Sequence, residues 1–358
     1  MKKYLAVYEK IRSDIVAGAI PYKSKLPSKR AIASMMNVSL VTVEHAYEIL
    51  QSEGYVESRE RSGYYVEYTA DASFYTAEPE SVRTVPPSRP AATDEQFPFS
   101  VYAAAVRSVV SEQGESLLKK SPNTGLSECK TAIANYLRRN RNIRVETEQI
   151  ILGSGAEYLY GMAIELLSTD RIYSIETPSY EKIERVYAAR GVHYESLPLC
   201  RDGISSSALQ ATCANVLHVT PYRSYPTGVS ATASKMREYL HWAETRNGYV
   251  IEDDYESEFS LTAKAADTVF GEDETGRVLY INTFSKTICP SLRVGYMLLP
   301  RPLVPVFYER LGFYSCTVPV LEQFLIAKLL SNGSFERHIN RIRRLRRSEN
   351  PDGKSRAK

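Results

Sequence analysis

Over residues 4–16 apolar side chains recur at Leu5, Tyr8, Ile11 and Ile15, the spacing of one helix face. Gly18 predicts the end of that helix. A second helix is expected to open after Ser28, a side chain suited to the N-cap, with Lys29 and Arg30 in its first turn. A break at Asn37-Val38-Ser39 leads into a third helix over 41–53, closed by Gly54. Residues 55–58 and 64–67 alternate as strands around a turn that carries Arg59, Arg61 and Gly63. The whole reads as a helix-turn-helix followed by a β-hairpin wing.

From 69 to 96 the periodicity is lost, and Pro79, Pro86, Pro87 and Pro90 stand among Ala, Ser, Thr and Glu. That composition predicts an extended tether. Beyond Phe97-Pro98-Phe99, strand and helix signals alternate, as in an α/β sheet with crossover helices. Strands are expected at 149–152, 171–175, 216–220, 249–255 and 278–281. A helix from Ala156 has its apolar face at Ala156, Leu159, Tyr160, Ala163 and Leu167. The expected domains are 1–68, a linker 69–96, an α/β domain 97–345 and a polar basic tail 346–358.

Composition changes this picture little. Hydrophobic residues make up 43% and charged ones 24%, as in an ordinary soluble globular protein. A net charge of +3 is too small to argue for a nucleic-acid partner, so that case rests on the motif. Cys129, Cys200, Cys213, Cys289 and Cys316 lie far apart, which points to reduced thiols and excludes a zinc site or disulfide framework. No metal is expected. No apolar stretch resembles a signal peptide or spans a bilayer, so the expected location is cytoplasmic and no membrane partner is predicted.

The chemistry gathers at the expected strand ends, where open α/β sheets bind ligands. Thr283-Phe284-Ser285-Lys286 follows the 278–281 strand, with Arg293 seven residues on. A lysine in a partly dry pocket is expected to lose proton affinity and, as a free amine, to form a Schiff base with an aldehyde. Hydroxyls and an arginine nearby suit a phosphate. Gly153-Ser154-Gly155 turns into a helix whose first N–H groups suit an anion. Asp253 and Tyr255 close the 249–255 strand, and Tyr180 follows the 171–175 strand. Together these parts predict pyridoxal phosphate. Lys286 forms the Schiff base, Asp253 pairs with the ring nitrogen, Tyr255 bonds the phenolic oxygen and Tyr180 stacks on the ring. Ser154, the Gly155 and Ala156 N–H groups, Thr283, Ser285 and Arg293 hold the phosphate. In the N-terminal segment, the second helix of the helix-turn-helix would enter the DNA major groove with Ser39, Thr42 and His45. Cations at Lys29 and Arg30 oppose their helix dipole, an arrangement that a DNA phosphate explains. Ser28, Arg59, Arg61 and Gly63 complete the expected DNA-binding set.

The N-terminal signposts Leu26-Pro27-Ser28-Lys29-Arg30, Val38-Ser39, Thr42-Val43, Ala46-Tyr47, Leu50, Glu53-Gly54-Tyr55 and Ser62-Gly63 resemble the GntR-type winged helix. One departure is Leu40, where many members carry an arginine facing the bases. The strings Gly153-Ser154-Gly155-Ala156, Pro178-Ser179-Tyr180, Pro226-Thr227-Gly228, Asp253-Asp254-Tyr255 and Ser285-Lys286 to Arg293 resemble fold-type-I aminotransferases. The two in one chain are similar to the MocR-type transcription regulators, over about residues 4–344.

The resemblance implies a pyridoxal-phosphate-dependent DNA-binding regulator that senses an amino compound at Lys286, with operator DNA as partner and a head-to-tail homodimer as its assembly. Two rival readings are a working aminotransferase with an attached winged helix, and a cofactor-free DNA-binding remnant. Tyr225 stands where aminotransferases usually carry Asn, a replacement that tilts away from efficient transamination. Family members continue into a small domain, which is expected to be incomplete here.

Overall fold

The computed structural model describes residues 3–59, 62–68, 96–260 and 267–349. The chain divides into two compact units, Met1–Ser88 and Arg89–Lys358. The expected linker therefore lies outside the described residues except for Gln96, as do Arg61 and the last nine residues of the expected tail.

The first unit holds helices α1 (Lys3–Val16), α2 (Lys29–Met35) and α3 (Leu40–Ser52), then strands β1 (Val56–Arg59) and β2 (Gly63–Val66). Its core gathers Val7, Ile11 and Ile15 of α1, Ile32 of α2, and Val43, Ala46, Tyr47 and Leu50 of α3. Val7 takes the core position expected of Leu5 and Tyr8, which are only half-buried. The Tyr8 hydroxyl donates to Glu53 at 2.5 Å, which fastens α1 to the end of α3. The expected cap forms, with Ser28 Oγ accepting from Ala31 N at 3.1 Å, and Ser39 caps α3 in the same way, accepting from Thr42 N at 3.3 Å. Each satisfies a backbone donor that the first helical turn leaves open. The wing pairs antiparallel from Val56 opposite Val66 to Arg59 opposite Gly63.

The second unit is built on one sheet of β3 (Ile150–Gly153), β4 (Tyr173–Thr177), β5 (Tyr194–Cys200), β6 (Gly203–Ile204), β7 (Val216–Val219), β8 (Tyr249–Asp253), β9 (Val278–Thr283) and β10 (Gly295–Leu298). Their order across the sheet is β3-β10-β9-β8-β7-β4-β5-β6. β4, β5, β7, β8 and β9 pair in parallel. β10 runs antiparallel between β3 and β9, and β6 antiparallel at the far edge.

Strand side chains alternate between two faces, and the core follows that alternation. Ile151, Leu279, Ile281 and Met297 pack under helices Ala156–Leu167, Glu181–Ala189 and Leu303–Arg310. Ile150, Leu152, Tyr280, Tyr296 and Leu298 face helices Ser127–Asn140, Val320–Ser331 and Ser334–Glu349. The last helix runs on to Glu349, so Arg346 and Arg347 belong to a helix rather than to a tail. Because β10 is reversed, its first residue Gly295 lies opposite both Gly153 and Thr283, the last residues of β3 and β9. One edge of the sheet thus collects the carboxyl ends of β3, β4, β7, β8 and β9.

Candidate functional site

At that edge lies a cavity of about 380 Å³ lined by Ala156, Glu157, Tyr160, Tyr180, Thr220, Tyr225, Asp253, Tyr255, Thr283, Ser285 and Arg293. Seven of these were expected from the sequence. Ser154, Gly155 and Lys286 are not in its wall, but Gly155 lies against Arg293 and Lys286 beside Tyr255.

Asp253, the last residue of β8, is buried and accepts a hydrogen bond from the Tyr160 hydroxyl at 2.5 Å. Burial pushes its carboxyl up to about 7, with help from the charges of Asp254 and Glu157 and against the Tyr160 bond. Among the described residues no cation pairs with it. A buried carboxylate left this way is stabilised by a positive group brought in from outside. Its neighbour Asp254 is already committed: Arg141 Nη2 donates to it at 2.6 Å and the Tyr280 hydroxyl at 2.6 Å.

Ser285 Oγ is buried with no hydrogen-bond partner. Buried hydroxyls are nearly always satisfied, so an orphan in a cavity wall points to a missing acceptor or donor. Gly155 has φ +105°, and a Cβ there would stand 2.6 Å from Arg293 Nη2. The absent side chain is what lets the guanidinium close on the helix N-terminus at Ala156. Arg293 itself takes the left-handed conformation, φ 49° and ψ 39°, and donates to Glu157 Oε2 at 2.8 Å. Lys182 reaches the same carboxylate at 2.8 Å. Burial opposes the charge on Glu157, but these two cations outweigh it and hold the carboxyl down at about 2. The N–H of Ser154 is used internally, donating to Thr317 Oγ1 at 3.1 Å, and so is the expected anion donor Gly155 N–H, which closes a tight turn onto Gly153 O at 2.9 Å.

Lys286 differs from its expectation. Its Nζ lies 3.2 Å from Glu256 Oε1 and 5.7 Å from the centre of the Tyr255 ring. Burial is the largest influence and favours the neutral amine, yet Tyr255 and Glu256 together keep its proton affinity above the ordinary lysine value. The expected loss of proton affinity is therefore corrected, because two acidic side chains accompany the desolvation. Tyr180 and Tyr225 meet edge to face in the cavity wall, with ring centres 6.2 Å apart.

A flat cationic heterocycle bearing a phosphate fits these residues: Asp253 answers the ring cation, and Ser285, Arg293 and the open N–H groups at Ala156 answer the anion. The sequence reading missed Glu157, Tyr160 and Thr220 in the wall. Tyr160 was assigned to the apolar face of its helix, since its hydroxyl contact comes from a strand 93 residues away.

In the first unit, Arg30 is exposed on α2, whereas Lys29 donates to Glu44 of α3 at 2.6 Å. Ser39 and Thr42 share a hydrogen bond of 2.8 Å at the exposed start of α3. His45 packs against the Tyr4 ring at 4.5 Å. Arg59 lies over the Tyr65 ring and bonds Glu57 and Glu67, both at 3.3 Å. The expected DNA-facing cations are thus partly engaged inside the unit. Exposed Leu40 and Val41 occupy the opening turn of α3.

Two family models match the chain: bacterial regulatory proteins of the gntR family over residues 3–66, and aminotransferase class I and II over residues 91–348. The uncharacterised HTH-type transcriptional regulator YdeL of Bacillus subtilis is 31% identical, over 97% of this chain and 77% of its own length. The probable rhizopine catabolism regulatory protein MocR of Rhizobium meliloti is 30% identical, over 95% and 74%. The pyridoxine biosynthesis regulator PdxR of Corynebacterium glutamicum is 29% identical, over 95% and 75%. Among solved structures, an archaeal alanine:glyoxylate aminotransferase superposes with a TM-score of 0.62 at 20% identity, over 68% of this chain and 62% of that one. A kynurenine aminotransferase of Pyrococcus horikoshii gives 0.63 at 21%, over 69% and 64%. The chain thus spans less than two thirds of those two aminotransferases, and the likeness shows the fold alone. With both family models matched in order, the chain belongs to the MocR-type HTH transcriptional regulators, in which a GntR-family domain precedes an aminotransferase class I and II domain.

Proposed function

We propose that this regulator holds pyridoxal phosphate at Lys286 and senses an amino compound there, changing the DNA affinity of its winged helix. The observation that carries the reading is the convergence of Asp253, Ser285 and Arg293 on one cavity beside Lys286. When bound, pyridoxal phosphate supplies an aldehyde for which a lysine and a free amine compete. Asp253 would hold the proton on the ring nitrogen. Tyr255 would donate to the ring's phenolic oxygen, and Tyr180 would cover one face. Ser154 Oγ, the N–H of Ala156, Thr283, Ser285 and Arg293 would hold the phosphate. An amine that bonds the aldehyde instead of Lys286 changes the charge and contacts of the cavity, which can bias two arrangements of the regulator.

The test is the visible absorbance of lysine-bound cofactor in the full chain, expected with wild type and removed by Lys286→Ala. Sustained turnover of an amino donor with a keto acid, abolished by the same substitution, would make the chain an aminotransferase instead. No absorbance in wild type at any pH would leave a cofactor-free DNA-binding protein. A homodimer belongs to the same proposal. Phe99, Leu118 and Phe313 are 80%, 88% and 71% exposed, large apolar side chains that a second copy would cover, and sedimentation equilibrium reads the assembly.

A further inference from the structure

Glu256 leaves the end of β8 directly after Tyr255, and its side chain is only 14% exposed. Its two oxygens face different partners. Oε1 lies 3.2 Å from Lys286 Nζ. Oε2 lies 3.6 Å from Arg223 and 3.9 Å from Arg346. Arg223 comes from the loop after β7, and Arg346 from the helix Ser334–Glu349, where it also lies 4.7 Å over the Phe259 ring. One carboxylate is therefore shared among three cations from three parts of the unit. The charged and titratable groups facing this pair among the described residues are Lys286, Tyr255, Arg223 and Arg346.

We infer that Glu256 is the positioning carboxylate of Lys286: it docks the side chain as an ammonium beside the cavity and accepts its proton when the lysine turns to bond an aldehyde. The inference rests on the cofactor reading above. Capture joins Nζ to the carbonyl carbon and breaks the carbon–oxygen double bond. The oxygen leaves as water with the two protons of the neutral amine. The third proton of the ammonium must go first, and Glu256 Oε1 is within hydrogen-bond reach to take it. Displacement by a neutral amino compound exchanges the two nitrogens on that carbon: the new carbon–nitrogen bond replaces the one to Nζ, and the compound's two N–H protons pass to Nζ. When an amino compound displaces the lysine, Glu256 returns the proton and the ammonium docks again, so that the freed charge does not stay in the cavity next to an incoming amine.

The two arginines set how strongly the carboxylate holds the lysine. They draw on Oε2 and add positive charge, and both effects make it easier for Lys286 to lose its proton. Opposite shifts are therefore expected from the two sides of the same carboxylate. Removing Glu256's charge takes away one of the two groups, with Tyr255, that stabilise the ammonium. Removing Arg223's charge leaves the carboxylate more fully to Lys286.

The experiment measures the pH profile of pyridoxal phosphate capture by the full chain freed of cofactor, read by absorbance and by borohydride trapping with peptide mass analysis at Lys286. Glu256→Gln is expected to move the rise of the profile to lower pH, Glu256→Asp to bring it back toward wild type, and Arg223→Gln to move it to higher pH. A Glu256→Gln profile that overlies wild type, or moves to higher pH, overturns the inference while the cofactor reading stands. Wild type that captures no pyridoxal phosphate at any pH overturns both. Should Glu256→Gln fail to fold, the Arg223→Gln shift decides alone: unchanged or lower overturns the role of Glu256.

Discussion

Gly155 shows how a single missing side chain shapes the candidate site. Its φ of +105° is a conformation that L side chains rarely adopt, and its open face is filled by the Arg293 guanidinium. Gly155→Ala would strain the backbone and set a methyl 2.6 Å from Nη2, a contact that no Cβ keeps. Backbone strain of this kind costs on the order of 1–3 kcal/mol. The guanidinium can swing out, because Arg293 is half exposed, so the larger loss falls on anion binding rather than on folding. The expected outcome is a chain that unfolds at somewhat lower temperature but needs at least about tenfold more pyridoxal phosphate for half-saturation, one tenfold step being about 1.4 kcal/mol. Parallel thermal unfolding and absorbance titrations check both halves. Unchanged cofactor affinity would remove Arg293 from the phosphate site.

At the level of elements, α2 and α3 separate two cations that look equivalent in the sequence. Lys29 and Arg30 are adjacent in the first turn of α2, but Lys29 turns inward to Glu44 and the Tyr64 ring while Arg30 stays exposed. Arg30→Ala is expected to weaken binding to every duplex alike and to lower the salt slope by about 1, as the loss of one phosphate contact does. Lys29→Ala should leave the salt slope nearly as it was and cost roughly 0.5–1 kcal/mol of stability, the worth of a partly exposed ion pair. Salt titrations of duplex binding and urea unfolding distinguish the two. Equal salt slopes for both variants would mean that Lys29 releases Glu44 on DNA. The sequence could not separate them, because the partner of Lys29 is fifteen residues away on the next helix. The same limit applies to the sheet. The buried apolar runs of β7, β8 and β9 were legible, and with them Asp253 and Thr283 at their ends. β10 was not, since Gly295-Tyr296-Met297-Leu298 is short and its reversed direction depends on its neighbours. β5 was missed because it lies toward the sheet edge and buries only Leu197, so it shows no apolar run. Glu256 was not singled out in the sequence, since its significance lies in Lys286, Arg223 and Arg346, each from another element.

For the whole molecule, one relation ties the units Met1–Ser88 and Arg89–Lys358 together without reference to their arrangement. If pyridoxal phosphate at Lys286 changes the affinity for a duplex by some factor, the duplex must change the affinity for pyridoxal phosphate by that same factor. Coupling in regulators is typically about 5–150-fold, or 1–3 kcal/mol. A suitable duplex is one recovered by the full chain from a randomised pool, since no base contact is assumed. Anisotropy titrations of that duplex with and without saturating cofactor give one ratio, and absorbance titrations of cofactor with and without saturating duplex give the other. Equal ratios different from one are expected for wild type, and ratios of one for Lys286→Ala, whose cavity lacks the amine that bonds the aldehyde. Ratios of one in wild type, with both ligands bound, would mean that the cofactor is held but not sensed. The aminotransferase-like unit would then owe its cavity to ancestry or to turnover, and the choice would pass to the keto-acid assay. A duplex ratio that changes only when an amine is added to the cofactor-loaded chain would instead place the switch at the release of Lys286. In that case Glu256→Gln, which alters the charge of the released lysine, should change the size of the ratio while leaving duplex affinity without amine as in wild type.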